Sequence, residues 1–426
     1  MKFAYFWISA ISLTLLLGPA VPAQEQPPPA PAEKLSDLLT EAERNNPQIQ
    51  AARQAWNASA QVPTQVSTLP DPQIMLQQLN VGSPRPFAGF SNSDFAYIGL
   101  GISQDIPYPG KLRLRGEIAK KDSEALQQSY EAARRNVLAQ IKTGYFQLAF
   151  LAKKKSILEG DGELLNQVEE SAVARYRSGL GNQQEVLQAQ LEQTKLLREI
   201  TLNELEAAKL QASLKQLLNR AQTSADIAPE PLSETPLPYS YDQLLEAANS
   251  GSPQIAGMKK IVERQKLQVD LAKKDFYPDF NLQYMWQRTD PTQFRAYYMF
   301  TFGVRIPIYR NRKQRPELAQ AELEQNRANS ELEAQSQEVA SALREQYAVA
   351  EKSTDLLKIY REGLLPQAKA ELQAGMAAFQ SGRQDFQALL ASFLDVLKLD
   401  EEYWQTLSEH ETALAQIEQA TGLSLR

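Results

Sequence analysis

Residues able to do chemistry are scarce in this sequence. It has no cysteine, which removes thiolate nucleophiles, thiolate metal sites, disulfides and a lipid-carrying N-terminal Cys. Its single histidine, His410, stands between Glu409 and Glu411 without the second His of a metalloprotease helix, so the expectation is a solvated side chain and no ligand role. Metal selection would need clustered His, Cys, Asp or Glu, or soft Met groups, and the six methionines are scattered along the chain. There is no nucleophile elbow and no phosphate loop. Lys153-Lys154-Lys155 reads as a solvated helix face rather than a docking patch. The residues point away from an enzyme, so function must lie in the surfaces that the elements build.

The most informative elements are two strands between Asp279 and Ile306. In the first, Phe280, Leu282, Tyr284 and Trp286 alternate with Asn281, Gln283, Met285 and Gln287. In the second, Tyr298, Phe300, Phe302, Val304 and Ile306 alternate with Tyr297, Met299, Thr301, Gly303 and Arg305. One face is apolar with aromatic ends and the other is mostly polar. A cytosolic antiparallel sheet would need a second apolar layer to cover that face, and the chain offers only one matching pair of strands. Lipid outside and a wet lumen inside fit the pattern better. Arg305 then falls in the lumen phase, and Tyr97, Tyr284, Trp286 and Tyr298 are candidates for interfacial aromatic girdles.

The rest is mainly helix. Lys2, the apolar run Phe3 to Leu17 and the small residues Val21 and Ala23 resemble a secretory signal peptide, residues 1–23. A proline-rich extended tail covers residues 24–35. Helix begins near Ser36, is interrupted at Asn45-Asn46-Pro47 and continues to about Val62, before Pro70-Asp71-Pro72. A first hairpin follows at about 73–106, with Ala96, Ile98, Leu100 and Ile102 on its apolar face opposite Phe95, Tyr97, Gly99 and Gly101. From Lys111 a helix runs to about Arg177, weakened near Gly160-Asp161-Gly162, and would reach about 100 Å. A second runs from about Gln183 to Asn219, where Leu196, Ile200, Asn203, Ala207, Leu210, Leu214 and Leu217 follow a coiled-coil seam.

Residues 227–240 form a proline-rich linker between two structural repeats, 36–226 and 241–426. Asn46-Pro47-Gln48-Ile49 returns as Ser252-Pro253-Gln254-Ile255, and Ile106-Pro107 as Ile306-Pro307. The second hairpin covers about 279–306, a long helix returns from about Arg315 to Gln380, and a last helix spans about Gln384 to Ala420. Tyr176-Arg177-Ser178-Gly179 returns as Phe379-Gln380-Ser381-Gly382. Four strands cannot enclose a useful lumen, and an unpaired strand edge is untenable in lipid, so several chains must combine; three would give twelve strands. A formal charge of −6 with interspersed signs excludes a nucleic-acid surface. A mean hydropathy of −0.43 suits a membrane protein whose lipid contact is confined to short alternating strands.

On the duplicated order and the turns Tyr176-Arg177-Ser178-Gly179-Leu180 and Phe379-Gln380-Ser381-Gly382, the chain resembles the outer-membrane factor family of TolC-like exit ducts. The stretch Gln104-Asp105-Ile106-Pro107-Tyr108-Pro109-Gly110-Lys111, with Pro70-Asp71-Pro72, is similar to the branch serving heavy-metal cation pumps. The resemblance implies a mainly α fold with a transmembrane β-barrel portion: a homotrimer with a twelve-stranded barrel in outer-membrane lipid and an α-helical tunnel crossing the periplasm. It implies two partners, a periplasmic adaptor (membrane fusion protein) and an inner-membrane pump of the RND type. Tyr176, Gly179, Leu180, Phe379 and Gly382 would be the tip turns that contact the adaptor. Glu185, Gln188, Asp385 and Gln387 would stand at the aperture, where Gln387 and Leu390 depart from the acidic ring of many members.

The implied function is an exit duct for metal cations, needing no cofactor. The alternatives are a duct for drugs or other organic compounds, type I secretion, or a periplasmic coiled-coil adaptor or scaffold. An adaptor would not need two amphipathic hairpins, and a porin would not need about 270 helical residues.

Overall fold

The computed structural model describes residues 32–80, 96–288 and 296–425. The expected signal peptide, most of the tail, Phe95 and the tips of both hairpins lie outside the described residues.

The element order is α1 (Leu35–Asn45), α2 (Pro47–Ser59), α3 (Val62–Ser67), β1 (Gln73–Leu79), β2 (Tyr97–Ile106), α4 (Lys111–Arg177) and α5 (Gln183–Leu217). It then repeats as α6 (Tyr241–Gly251), α7 (Pro253–Lys274), β3 (Asp279–Arg288), β4 (Tyr297–Arg305), α8 (Gln314–Ile359), α9 (Leu365–Gln380) and α10 (Phe386–Thr421). Asn46 starts α2 by accepting from the Gln48 and Ile49 amides, with Pro47 at the first helical position where no N–H is missed. In the second repeat Ser252 and Pro253 hold the same places.

α4 is one helix of 67 residues, about 100 Å long by its rise. The Gly160-Asp161-Gly162 segment does not interrupt it. Its counterpart does break: between α8 and α9, residues Tyr360–Leu364 form a π-helical turn just before Pro366. Proline has no N–H and its ring collides with the carbonyl one turn earlier, so the helix widens there. The long helices pack side by side, α4 against α5, α7 and α10, and α8 against α7 and α10. The seam residues of α5 all turn inward, with Asn203 and Leu214 buried and the Asn203 amide donating to the Leu151 carbonyl at 3.0 Å. One core joins α1, α4 and α5 with Ala415 of α10, a second lies under the α4–α5 and α9–α10 turns, and a third joins α6, α8 and α10.

The four strands form one antiparallel sheet in the order β1-β2-β3-β4. Its register sets Ile74, Ile102, Tyr284 and Phe300 in one row, and Leu76, Leu100, Trp286 and Tyr298 in the next apolar row. Phe280 stacks diagonally on Phe302 and Tyr284 on Tyr298.

The histidine is not solvated. His410 is fully buried: Nε2 donates to the Thr235 carbonyl at 2.8 Å, and Nδ1 lies 2.9 Å from the Ser353 hydroxyl. Glu411, also buried, accepts from the Thr235 amide at 2.7 Å and from its hydroxyl at 3.0 Å. The linker crosses α10 at this point, and its backbone groups need partners once they leave water. The lysine run is likewise engaged. Lys154 pairs with Glu401, Lys155 lies 2.7 Å from Glu204, and the Lys153 ammonium sits 5.1 Å over the Trp404 ring. These three cations tie α4 to α5 and α10.

Candidate functional site

Three places carry the features that could do work: the sheet, its junction with the helices, and the opposite helix ends. On the sheet, every second row is apolar and faces outward. Ile74 and Phe300 are 77% and 61% exposed in the single chain, a loss that only an apolar surrounding removes. The opposite face is built of Gln73, Ser103, Gln283 and Thr301 in one row, and Gln77, Gly99, Gln287 and Tyr297 in another. Tyr97 sits on this polar face with Gly99 and Gly101, so it cannot join Tyr284, Trp286 and Tyr298 in an outward girdle. Arg305 is exposed at the inner end of β4, in register with Asp279. The two help line a hollow of about 370 Å³ with Asp105, Arg115 and Asn281.

The junction explains the Gln104 to Lys111 stretch. Asp279 accepts from the Tyr108 amide at 2.8 Å and from Lys111 at 2.9 Å, while Asp275 takes the same ammonium at 3.0 Å. Tyr108 stacks on Tyr277 with centroids 4.6 Å apart, and the Gln104 amide donates to the Pro70 carbonyl at 2.7 Å. The motif fastens the first hairpin and α4 to the second hairpin. Its polar atoms are spent on this joint rather than on a ligand.

At the far ends, both α4 and α9 stop in the same way. Gly179 and Gly382 have φ of +74° and +73°, their amides return to the Tyr176 and Phe379 carbonyls, and the next amides return to Arg175 and Ala378. This left-handed close is one that glycine makes at least cost. Nothing lies within 4 Å of where a Gly179 side chain would start. Tyr176 and Leu180 are exposed, at 49% and 72%. Phe379 is not: it is buried against Phe386, edge to face, because the turn needs an apolar plug beneath it. Arg175, which sequence reasoning passed over, joins the two turns. Its guanidinium donates to the Phe379 and Leu180 carbonyls, each at 3.2 Å, and lies 4.8 Å over the Phe379 ring. The sequence holds one signal for it, since the repeat has Arg175 where its partner turn has Ala378.

The expected aperture residues are brought together in part. Gln188 and Gln387 form a reciprocal amide pair, at 2.6 and 3.3 Å, between α5 and α10. Asp385 caps α10 through the Ala388 amide at 2.8 Å, as Asn182 caps α5 through the Glu185 amide at 3.0 Å. Leu390 is buried in the core below. Among the described residues no three His, Cys, Asp or Glu side chains cluster as metal ligands. No helix among them is long and apolar enough to cross a membrane.

A family model described as outer membrane efflux protein matches residues 38–220 and 244–423. Among solved structures, the outer-membrane channel OprN superposes with a TM-score of 0.79 at 16% identity, covering 92% of this chain and 90% of that one. CusC, solved in the context of folding and transmembrane channel formation, gives 0.78 at 17% identity and 92% of both chains. The outer membrane protein VceC of Vibrio cholerae gives 0.77 at 16% identity, covering 92% of this chain and 97% of that one. Among curated proteins no sequence relative matches the chain significantly.

Proposed function

Because this chain belongs to the outer membrane efflux protein family, we propose that it assembles as a homotrimer into the exit duct of a tripartite efflux system that discharges metal cations. As a member it is an outer-membrane transport channel and not an enzyme, with a TolC-like fold of helical tunnel and barrel portion. The observation that carries the trimer is the sheet. It has one apolar face, one polar face and two free edges among the described residues, β1 and β4. Three such sheets joined edge to edge give twelve strands, no open edge in lipid and a lumen on the polar side. The exposed Tyr176 and Leu180 beside the α4–α5 turn, and the matching α9–α10 turn, are the surface offered to an adaptor hairpin. The pump of RND type stands behind that adaptor. Gln188 and Gln387 put a neutral amide pair at the aperture beside Glu185 and Asp385, in place of a full acidic ring, so cation selection falls mainly to the pump and to the barrel.

Crosslinking of the detergent-extracted protein tests the assembly, with a trimer expected; a folded monomer soluble without detergent would refute it. Cargo is tested by growth of a deletion strain on copper, silver, cobalt, zinc and cadmium against dyes and antibiotics. Sensitivity confined to the metals supports the cation reading, and sensitivity confined to the organic compounds refutes it.

A further inference from the structure

Three of the six methionines share one row of the sheet. The register runs Met75, Gly101, Met285, Met299 across all four strands, on the polar face. These are all the methionines of the four strands, and chance alone would scatter them over different rows and both faces. The sequence hides the gathering because the three lie on β1, β3 and β4, more than 200 residues apart at the extremes.

The row is also shaped around sulfur. A side chain at Gly99 would stand 3.1 Å from Met285 Sδ, and one at Gly101 would stand 3.2 Å from Met285 Cε. The two glycines therefore leave a slot in which the thioether lies, and Gly101 leaves the path from Met75 to Met285 bare. The Gln287 amide lies 3.1 Å from Met285 Sδ and fixes the thioether's orientation. Met285 is 1% exposed, whereas its row neighbour Met299 is 41% exposed to the space in front of the sheet.

From this geometry we propose that the row is a transit site for a soft monovalent cation, Cu(I) or its analogue Ag(I), held by two or three thioethers. The chemistry separates cation classes. Thioethers select Cu(I)-like ions, whereas hard divalent ions require carboxylate or carbonyl oxygen. The rows on either side hold Gln, Ser, Thr, Tyr and Gly and no carboxylate; the nearest acids on this face, Asp105 and Asp279, lie beyond them at the inner end. A neutral site holds its ion loosely enough to release it, as conduction requires. Entry to Met285 exchanges the Gln287 contact for the ion. This deepens the cation reading and rests on the polar face being the lumen.

The competing explanation is that methionine only fills the gap over two glycines. Leucine fills it nearly as well without sulfur, so Met→Leu variants separate the two. The full-length protein, purified in detergent and chloride-free nitrate buffer, is titrated with Ag(I) by calorimetry, with silver-edge X-ray absorption to identify the ligand atoms. The expected result is sulfur ligation in the wild type, loss of binding in Met285→Leu, and at least tenfold weaker binding in Met75→Leu and Met299→Leu. Met258→Leu and Met376→Leu, outside the sheet, should bind as the wild type does. Unchanged binding in Met285→Leu, or no sulfur signal in the wild type, overturns the site. Crosslinking the same samples keeps the two readings apart: a trimer that ignores silver refutes the site alone, and a monomer that binds silver refutes the duct alone.

Discussion

The two repeats share their element order but differ in which contacts each carries. Their hairpins are interchangeable in role, each presenting alternate apolar residues to one side of a common sheet. Their glycine-closed turns have matching hydrogen bonds. Between these ends they diverge. The first repeat has an unbroken α4, an Arg175 that binds both turns and an Asp161 facing Asp400. The second has a π turn ahead of Pro366 and a buried His410, where the same distance beyond the N-cap of α5 gives Ala207. What meets lipid and what closes the turns is duplicated, and what locks the repeats together is not. In the proposed trimer one surface would serve several equivalent places around a ring, while a joint between two different elements needs only one copy.

The hairpins should therefore fail alike. Leu100→Arg and Phe300→Arg each place a cation on the apolar face, at about 2–4 kcal/mol per chain near the bilayer midplane, and both should abolish the outer-membrane trimer on semi-native gels. Thr301→Arg, one residue away on the polar face, should assemble normally. Assembly of either arginine variant on the apolar face would break the equivalence.

The turns come next. Gly179→Asp and Gly382→Asp are expected to keep trimer and barrel, about 100 Å away along α4, yet to abolish export and adaptor crosslinking. Arg175→Ala sharpens the comparison: it should loosen both turns, read as faster amide exchange at Leu180 and Arg383, although only the first repeat is altered.

A smaller effect is expected at the linker. His410→Ala leaves the Thr235 carbonyl without its donor, while the Ser353 hydroxyl keeps the Ala350 carbonyl, a cost of about 1–3 kcal/mol, seen as a lower Tm with export retained. Ala207→Ser, at the matching place of the first repeat, should leave the Tm nearly unchanged.

The smallest effect is a pH dependence. Burial, and then the Asp400 carboxylate, push the Asp161 carboxyl up to about 6, from 3.8 in the free chain, while Lys369 opposes them. Between these values the unfolded chain loses its proton first, so this group weakens the fold as pH rises from about 4 to about 6 and costs no more above that. Asp161→Asn should raise the Tm at pH 7.5, leave it unchanged below pH 4, and flatten the melting profile between.

Much of this was legible in the sequence. Period-two alternation revealed the two faces of β2, β3 and β4, though not those of β1, and the recurring Pro-Gln-Ile, Ile-Pro and Ser-Gly signatures revealed the duplication. Register across strands was not legible, because pairing depends on partners far apart in sequence, and so the methionines looked scattered. Burial within a helix bundle was equally hidden. Tyr176 and Phe379 are equivalent in the repeat, yet one faces solvent and the other plugs a core. His410 lies among acids in the sequence and under the linker in space. The widened turn before Pro366 interrupts the single helix expected from about Arg315 to Gln380 and is explained by proline chemistry, while the continuity of α4 past Gly160 and Gly162 follows from the flanking helices that hold it.

α10 follows every other described element in chain order, and it closes nearly everything. Ala415 completes the core of the first repeat, Glu418 pairs with Lys142, and His410 and Glu411 fasten the linker. The polar contacts among these join residues separated by 175 to 276 positions. A polypeptide threaded N-terminus first through a secretion pore therefore cannot settle α4 and α8, which pack on α10, in final form until α10 has emerged. The unfinished chain exposes its seams throughout that interval, and a holding chaperone would have its longest engagement with the first repeat, which waits for a clasp made at the other end.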